Sequence, residues 1–275
     1  IMRHAVRFIA ETDSLNSSIL APDAVAGTPE FDLYVREVAR EMTVKAGQKC
    51  TAIRRALVPR RAVGEVVSAL QRALGKIVVG DPRLADVRMG PLASIDQQAE
   101  VRQRVAELRG EAELVYGNPD DFTVTGAERT RGAFIPPLLL LCNSPARARA
   151  VHEVEAFGPV ATVLPYDDIA EAIALARRGG GSLAASVFSA NDAMATELAL
   201  GLAPFHGRIL IVNRDCAKES TGHGSPLAHL VHGGPGRAGG GEELGGVRGV
   251  LHYMQRTAIQ GTPDTITAIS RRWVR

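Results

Sequence analysis

The stretch VATVLPYDDIAEAIALARRGGGSLAASVFSANDAMATELALGLAPFHGRILIV, Val160 to Val212, carries the strongest structural signal in the chain. Apolar runs of strand length lie at Val160–Leu164, Leu183–Phe188 and Arg208–Val212, and between them Ile169–Arg177 and Asp192–Leu202 place apolar residues at helical spacing. A helix between two strands carries the chain back over the sheet, so the next strand runs parallel to the last. The expected fold class is α/β with a largely parallel sheet.

Upstream the same alternation is less regular. Thr28 reads as an N-cap with Pro29 at the first helical position, Phe31, Tyr34, Val35, Val38 and Met42 follow at helical spacing, and Gly47 is the expected stop. Thr51–Val58 reads as a strand, Val63–Leu74 and Ser94–Leu108 as helices, and Glu113–Tyr116 and Gly132–Leu141 as strands. Arg3–Ala10 has the alternation of a strand, whereas SSILAPDAVAGTPE from Ser17 reads as a loop rich in small residues. Downstream, His223 to Gly246 is rich in glycine, which either flexes or lets backbones pack closely.

Composition narrows the function. The net charge of +2 comes from 32 basic and 30 acidic residues, and aromatic residues make up 4%. There is neither the basic excess nor the base-stacking platform of a nucleic-acid partner. The 3 cysteines, Cys50, Cys142 and Cys216, are too few and too dispersed for a disulfide framework, which fits a reducing cytoplasm. No apolar run has the length of a membrane span, and the start lacks the pattern of a signal peptide, so a soluble, cytoplasmic protein is expected.

Candidate residues are weighed against plainer roles. A lone cysteine is usually a small buried hydrophobe. Cys50, in KAGQKCTAIRR, follows the Gly47 break and is flanked by Lys45, Lys49, Arg54 and Arg55, whose charges would favour a thiolate. The histidines His206, His223, His229 and His232 do not have the spacing of a zinc site, so no metal is expected. Gly234-Pro235-Gly236-Arg237-Ala238-Gly239 spells the dinucleotide fingerprint, but Gly240 and Gly241 are poor helix starters and the match is read as fortuitous. Glu11 and Glu155, taken singly, would be surface charges.

Taken together and in this order, Glu11, Gly47-Gln48-Lys49-Cys50 and Glu155-Ala156-Phe157-Gly158-Pro159-Val160 resemble the catalytic half of the aldehyde dehydrogenase family, as do GSLAASVFS and GRILIVN. ETDSLNS, EMTVKAGQKCTAIRR, KESTGHGSPL and HGGPGRAGGGEELGG are similar to a narrower group, the ring-opening bifunctional enzymes of phenylacetate degradation, with the dehydroadipyl-CoA semialdehyde dehydrogenases of benzoate degradation as siblings. Most of the family follow the first glutamate with Leu-Gly-Gly-Lys, where this chain has Thr12-Asp13-Ser14.

The resemblance implies a three-layer catalytic domain and a set of roles. Cys50 would be the nucleophile that attacks an aldehyde, and Glu11 the base that activates water against the resulting thioester. Glu155 would hold the ribose of the nicotinamide cofactor, NADP or alternatively NAD, with Phe157 as an apolar wall. The substrate would be a CoA-linked semialdehyde of aromatic catabolism, the assembly a homo-oligomer, and the parent enzyme would carry a fused hydratase-like domain. Residues 1–27 would be the tail of a dinucleotide-binding domain and linker, 28–246 the catalytic domain, and 247–275 an oligomerisation strand and linker, with the strand at Val247–Ala258. Because the upstream cofactor-binding and oxyanion groups lie outside this chain, it is expected to be weak or inactive in isolation. The reading from a different class is a non-catalytic fragment or oligomerisation module.

Overall fold

The computed structural model describes residues 3, 8–227, 230, 233–239, 246–254 and 256–273. Strands β1 (Ser17–Leu20), β2 (Arg55–Pro59), β3 (Glu113–Tyr116), β4 (Leu138–Leu141), β5 (Val160–Tyr166), β6 (Ser182–Phe188) and β7 (His206–Val212) form one sheet in the order β3-β4-β5-β2-β1-β6-β7. Every pairing is parallel except β3 with β4.

Helices cover both faces of the sheet. On one side α1 (Pro29–Thr43) and α2 (Val63–Leu74) pack together and bury Phe31, Tyr34, Val38, Met42, Val66 and Leu70 against it. On the other, α3 (Ile95–Leu108), α5 (Ile169–Arg177) and α6 (Asp192–Leu202) bury Val101, Val105, Leu175, Leu198 and Leu202, and the short α4 (Ala150–Glu153) adds Val151. The result is the expected three-layer α/β arrangement. No helix among the described residues is long and apolar enough to cross a membrane.

The alternation from Val160 to Val212 forms as expected, because each helix has its own start signal. Asp168 and Asn191 cap α5 and α6 through side-chain oxygens that accept from Glu171 N and Met194 N, and Thr28 does the same for Phe31 N of α1. The expectation for Ser17–Leu20 is corrected: this is no loop but a central strand, buried throughout, between β2 and β6. A strand covered on both faces has no polar alternation to reveal it. Its hydroxyls are matched instead, Ser186 Oγ donating to Ser18 Oγ at 2.9 Å and Ser17 Oγ lying 3.2 Å from His206 Nε2.

At the amino end, positions 4–7 of the expected first strand lie outside the described residues, and Phe8–Ala10 have no regular structure. At the carboxyl end the strand expected over Val247–Ala258 is instead a helix, α7 (Gly246–Tyr253), followed by α8 (Pro263–Ser270). A strand needs a partner edge for its backbone groups, whereas a helix satisfies them internally. Val247, Val250, Leu251 and Tyr253 of α7 are exposed.

Candidate active site

Several loops that enter parallel strands meet at the amino ends of β1, β2, β5 and β6. Between α1 and β2, Lys45 (φ 54), Ala46 (φ 53) and Gly47 (φ 69) are left-handed in succession, which swings the chain back toward the sheet. Gly47 is where the loop before β5 crosses: a Cβ there would stand 2.1 Å from Gly158 O. Cys50 follows in a turn, half-buried. Asn16, just ahead of β1, holds that turn from below. Its amide donates to Cys50 O at 2.8 Å and Ala52 O at 3.0 Å, and its oxygen accepts from Ala184 N at 3.0 Å and Ser14 Oγ at 2.8 Å.

The loop between α4 and β5 supplies Glu155 and Phe157. Glu155 Oε1 accepts from Arg54 Nε at 3.0 Å, and Oε2 accepts from Ser14 N at 3.0 Å. Arg54 also donates to Gly158 O at 2.7 Å and Gly47 O at 2.9 Å, and its guanidinium lies 5.3 Å from the centre of the Phe157 ring. Gln97 of α3 donates to Phe157 O at 2.9 Å. Glu11 comes from a third direction. It is exposed and bridges Ala238, while Thr12 N donates to Arg237 O at 3.0 Å and Asp13 forms an ion pair with Arg237.

Through Arg54 these contacts bring Glu155 and Phe157 to the turn that leads into Cys50, and the Glu11 carboxylate acts on the Cys50 thiol through its charge. The Cys50 thiol is pushed above its ordinary value, first by burial and then by the Glu11 carboxylate, with a smaller push from Glu155; the backbone N–H groups of Cys50 and Thr51 favour the thiolate. The expected help from neighbouring cations is present in Arg54, whose charge interacts with that of Cys50, but it does not outweigh burial, and the neighbouring cations are also engaged elsewhere. Lys49 Nζ is held by Glu41 at 2.7 and 2.8 Å, Arg54 by Glu155, and Arg55 by the carbonyls of Leu15, Leu175 and Ala176. Burial also raises the Glu155 carboxyl, against the opposing pull of Arg54 and Ser14 N.

The other sequence candidates fall elsewhere. His206 and His223 are buried, with His206 Nδ1 against Leu202 O at 2.9 Å and His223 Nδ1 against Ser186 Oγ at 2.9 Å; His229 and His232 lie outside the described residues. Among the described residues no group of three or more His, Cys, Asp or Glu side chains is placed to hold a metal. The glycine-rich loop uses its missing side chains for close approach, since a Cβ on Gly236 would stand 2.1 Å from Gly180 O and one on Gly239 would stand 2.8 Å from Glu11 N. Ser14, Asn16 and the clamping role of Arg54 were not visible in the sequence. A polar run reads as loop, and nothing local marks which arginine turns inward.

The Aldehyde dehydrogenase family description matches residues 1–259, and the chain belongs to that family. It is 48% identical over 235 residues to the 3,4-dehydroadipyl-CoA semialdehyde dehydrogenase of Aromatoleum evansii, covering 86% of this chain and 46% of that protein. It is 52% identical over 188 residues to protein MaoC of Klebsiella aerogenes, covering 68% and 54%. Its fold superposes on aldehyde dehydrogenase C of Pseudomonas syringae, solved with NAD+ and octanal, with a TM-score of 0.74 at 27% identity over 92% of this chain and 48% of that one. The chain thus spans about half the length of the curated relatives it matches.

Proposed function

We propose that this chain carries the nucleophile-bearing part of a cytoplasmic CoA-semialdehyde dehydrogenase of aromatic catabolism, which oxidises a CoA-linked aldehyde to the acid. The observation that carries the reading is the convergence of a half-buried thiol with two carboxylates from distant loops, Glu11 and Glu155, both acting on its charge. The likeness to the Aromatoleum evansii semialdehyde dehydrogenase supports the substrate class.

In this reading Cys50 is the nucleophile. Its raised thiol must lose a proton as the sulfur attacks, and Glu11 is the nearby carboxylate that takes it. The sulfur adds to the aldehyde carbon, leaving an alkoxide in the adduct. The residues present fit the ribose end of a nicotinamide nucleotide: each Glu155 oxygen receives one donor from the protein and keeps acceptor capacity for a sugar hydroxyl, and the half-exposed Phe157 ring stands beside it. When bound, the nucleotide supplies the hydride acceptor that turns the adduct into a thioester. Glu11, which is exposed, first passes the thiol proton to solvent and then, as carboxylate again, removes a proton from water, which adds to the thioester carbon and releases the acid and the Cys50 thiolate.

The test is the absorbance of reduced nicotinamide when the chain is mixed with a CoA-linked semialdehyde and NADP, with NAD as comparison. The chain alone is expected to turn over weakly or not at all, and whatever turnover it shows is expected to be abolished by Cys50→Ser; turnover indifferent to that substitution overturns the reading. A second reading, a homo-oligomerisation unit without catalysis of its own, is favoured by the exposed apolar face of α7. A folded chain that self-associates but neither binds nucleotide nor turns over would select it.

A further inference from the structure

Arg54 stands immediately before β2 with 4% of its side chain exposed. Its neighbour Arg55 is spent on the carbonyls of Leu15, Leu175 and Ala176. Each arm of the Arg54 fork has an acceptor: Nε meets Glu155 Oε1, Nη1 meets Gly158 O, and Nη2 meets Gly47 O, with Lys49 O at 3.4 Å beyond it. These acceptors belong to two loops far apart in the chain, the turn that leads into Cys50 and the loop that bears Glu155 and Phe157.

We propose that Arg54 is a positioning residue that locks the Glu155 carboxylate and the Cys50 turn into one fixed relation, so that thiol and sugar-binding carboxylate are presented in register. The inference rests on the reading of Glu155 as the ribose-holding group. A simple ion pair would not require an arginine, because a lysine ammonium supplies charge without direction. Here a planar fork meets three acceptors at set angles, which orients the two loops as well as neutralising Glu155. Ser14 N holds the second Glu155 oxygen, so Arg54 and Ser14 together stop the carboxylate from rotating and leave its remaining lone pairs aimed one way. Glu155 is itself 7% exposed and has no bulk water to replace a lost partner.

The experiment compares Arg54→Lys, Glu155→Gln and the double variant, with folding followed by circular dichroism. It reads the nucleotide KM, or Kd where there is no turnover, together with the pH profile of Cys50 alkylation by iodoacetamide without nucleotide. Arg54→Lys is expected to raise the nucleotide constant on the order of tenfold or more and to change the alkylation rate several-fold. The double variant is expected to be no worse for nucleotide than Glu155→Gln alone, since both remove one shared arrangement. Additive losses, or an unchanged nucleotide constant in folded Arg54→Lys beside an impaired Glu155→Gln, overturn the proposal.

If Glu155→Gln changes nothing, the ribose reading is what fails; if the chain alone binds no nucleotide, the comparison of nucleotide constants falls away. The alkylation profile then decides alone: a changed profile in Arg54→Lys supports positioning, and an unchanged one overturns it. Should Arg54→Lys not fold, Arg54→Met combined with Glu155→Gln removes both charges. That pair is expected to fold with altered Cys50 alkylation, and its failure to fold overturns the proposal in favour of a purely structural arginine.

Discussion

Gly47 joins two requirements in one residue. Its φ of 69 disfavours any side chain, and the Gly158 carbonyl occupies the place a Cβ would take, at 2.1 Å. A methyl group there must push apart the loops that bear Cys50 and Glu155. Gly47→Ala is therefore expected to cost more than about 2 kcal/mol of stability and to alter Cys50 alkylation, as read by thermal melts and labelling kinetics. A melt within a degree of the wild type would show that the crossing is looser than this geometry implies. Asn16 has a comparable position, with one amide tying the Cys50 and Ala52 carbonyls to Ala184 of the neighbouring strand β6.

Among the elements, the connection from α1 to β2 stores backbone strain next to Cys50. Lys45 is exposed and left-handed without being glycine. A left-handed L-residue costs about 1–2 kcal/mol, whereas glycine adopts the same angle freely and gives back part of the gain through the entropy of the unfolded chain. Lys45→Gly is expected to stabilise the chain by about 1 kcal/mol, raising Tm by roughly 2 °C. An unchanged or lower Tm would mean that the lysine side chain contributes at least as much as its backbone costs. Sheet topology explains why the site gathers where it does. Ser14 and Asn16 precede β1, the Cys50 turn precedes β2 and Glu155 precedes β5, so neighbouring strands deliver the three groups to a common end.

The whole molecule carries a pH dependence set by its buried histidines. His152 and His206 are lowered to about 4 and His223 to about 3, in each case chiefly by burial. Between 6.5, the ordinary value, and about 4 the unfolded chain binds protons that the folded chain refuses, so stability falls as pH falls through that window. Each group contributes on the order of a few kcal/mol across it. Glu30, held down to about 2 first by its hydrogen bond from Arg214, adds loss in the same direction below 4.5. Glu41 and Glu155 oppose it, because burial raises their folded values and acidification relieves that cost. The histidine shifts are expected to prevail, so Tm measured by circular dichroism should drop steadily from pH 6.5 to pH 4. A flat profile over that range would show that the three imidazoles take up protons without unfolding the chain.

Local chemistry alone made the alternation from Val160 to Val212 legible, because strand runs and capped helices are written in short-range pattern. Resemblance to a family, and not local chemistry, singled out Cys50, Glu11, Glu155 and Phe157 as candidates. Short-range pattern singled out no site. It could not mark β1, whose serines acquire strand character only between β2 and β6, nor the helical state of Gly246–Tyr253. It overstated the cations around Cys50, since proximity along the chain says nothing about where a long side chain finds its acceptor. The assembled sheet settled that Lys49 turns to Glu41, Arg55 to buried carbonyls and Arg54 to Glu155. Pairings of this kind depend on atoms far apart in sequence and come together only when the layers pack.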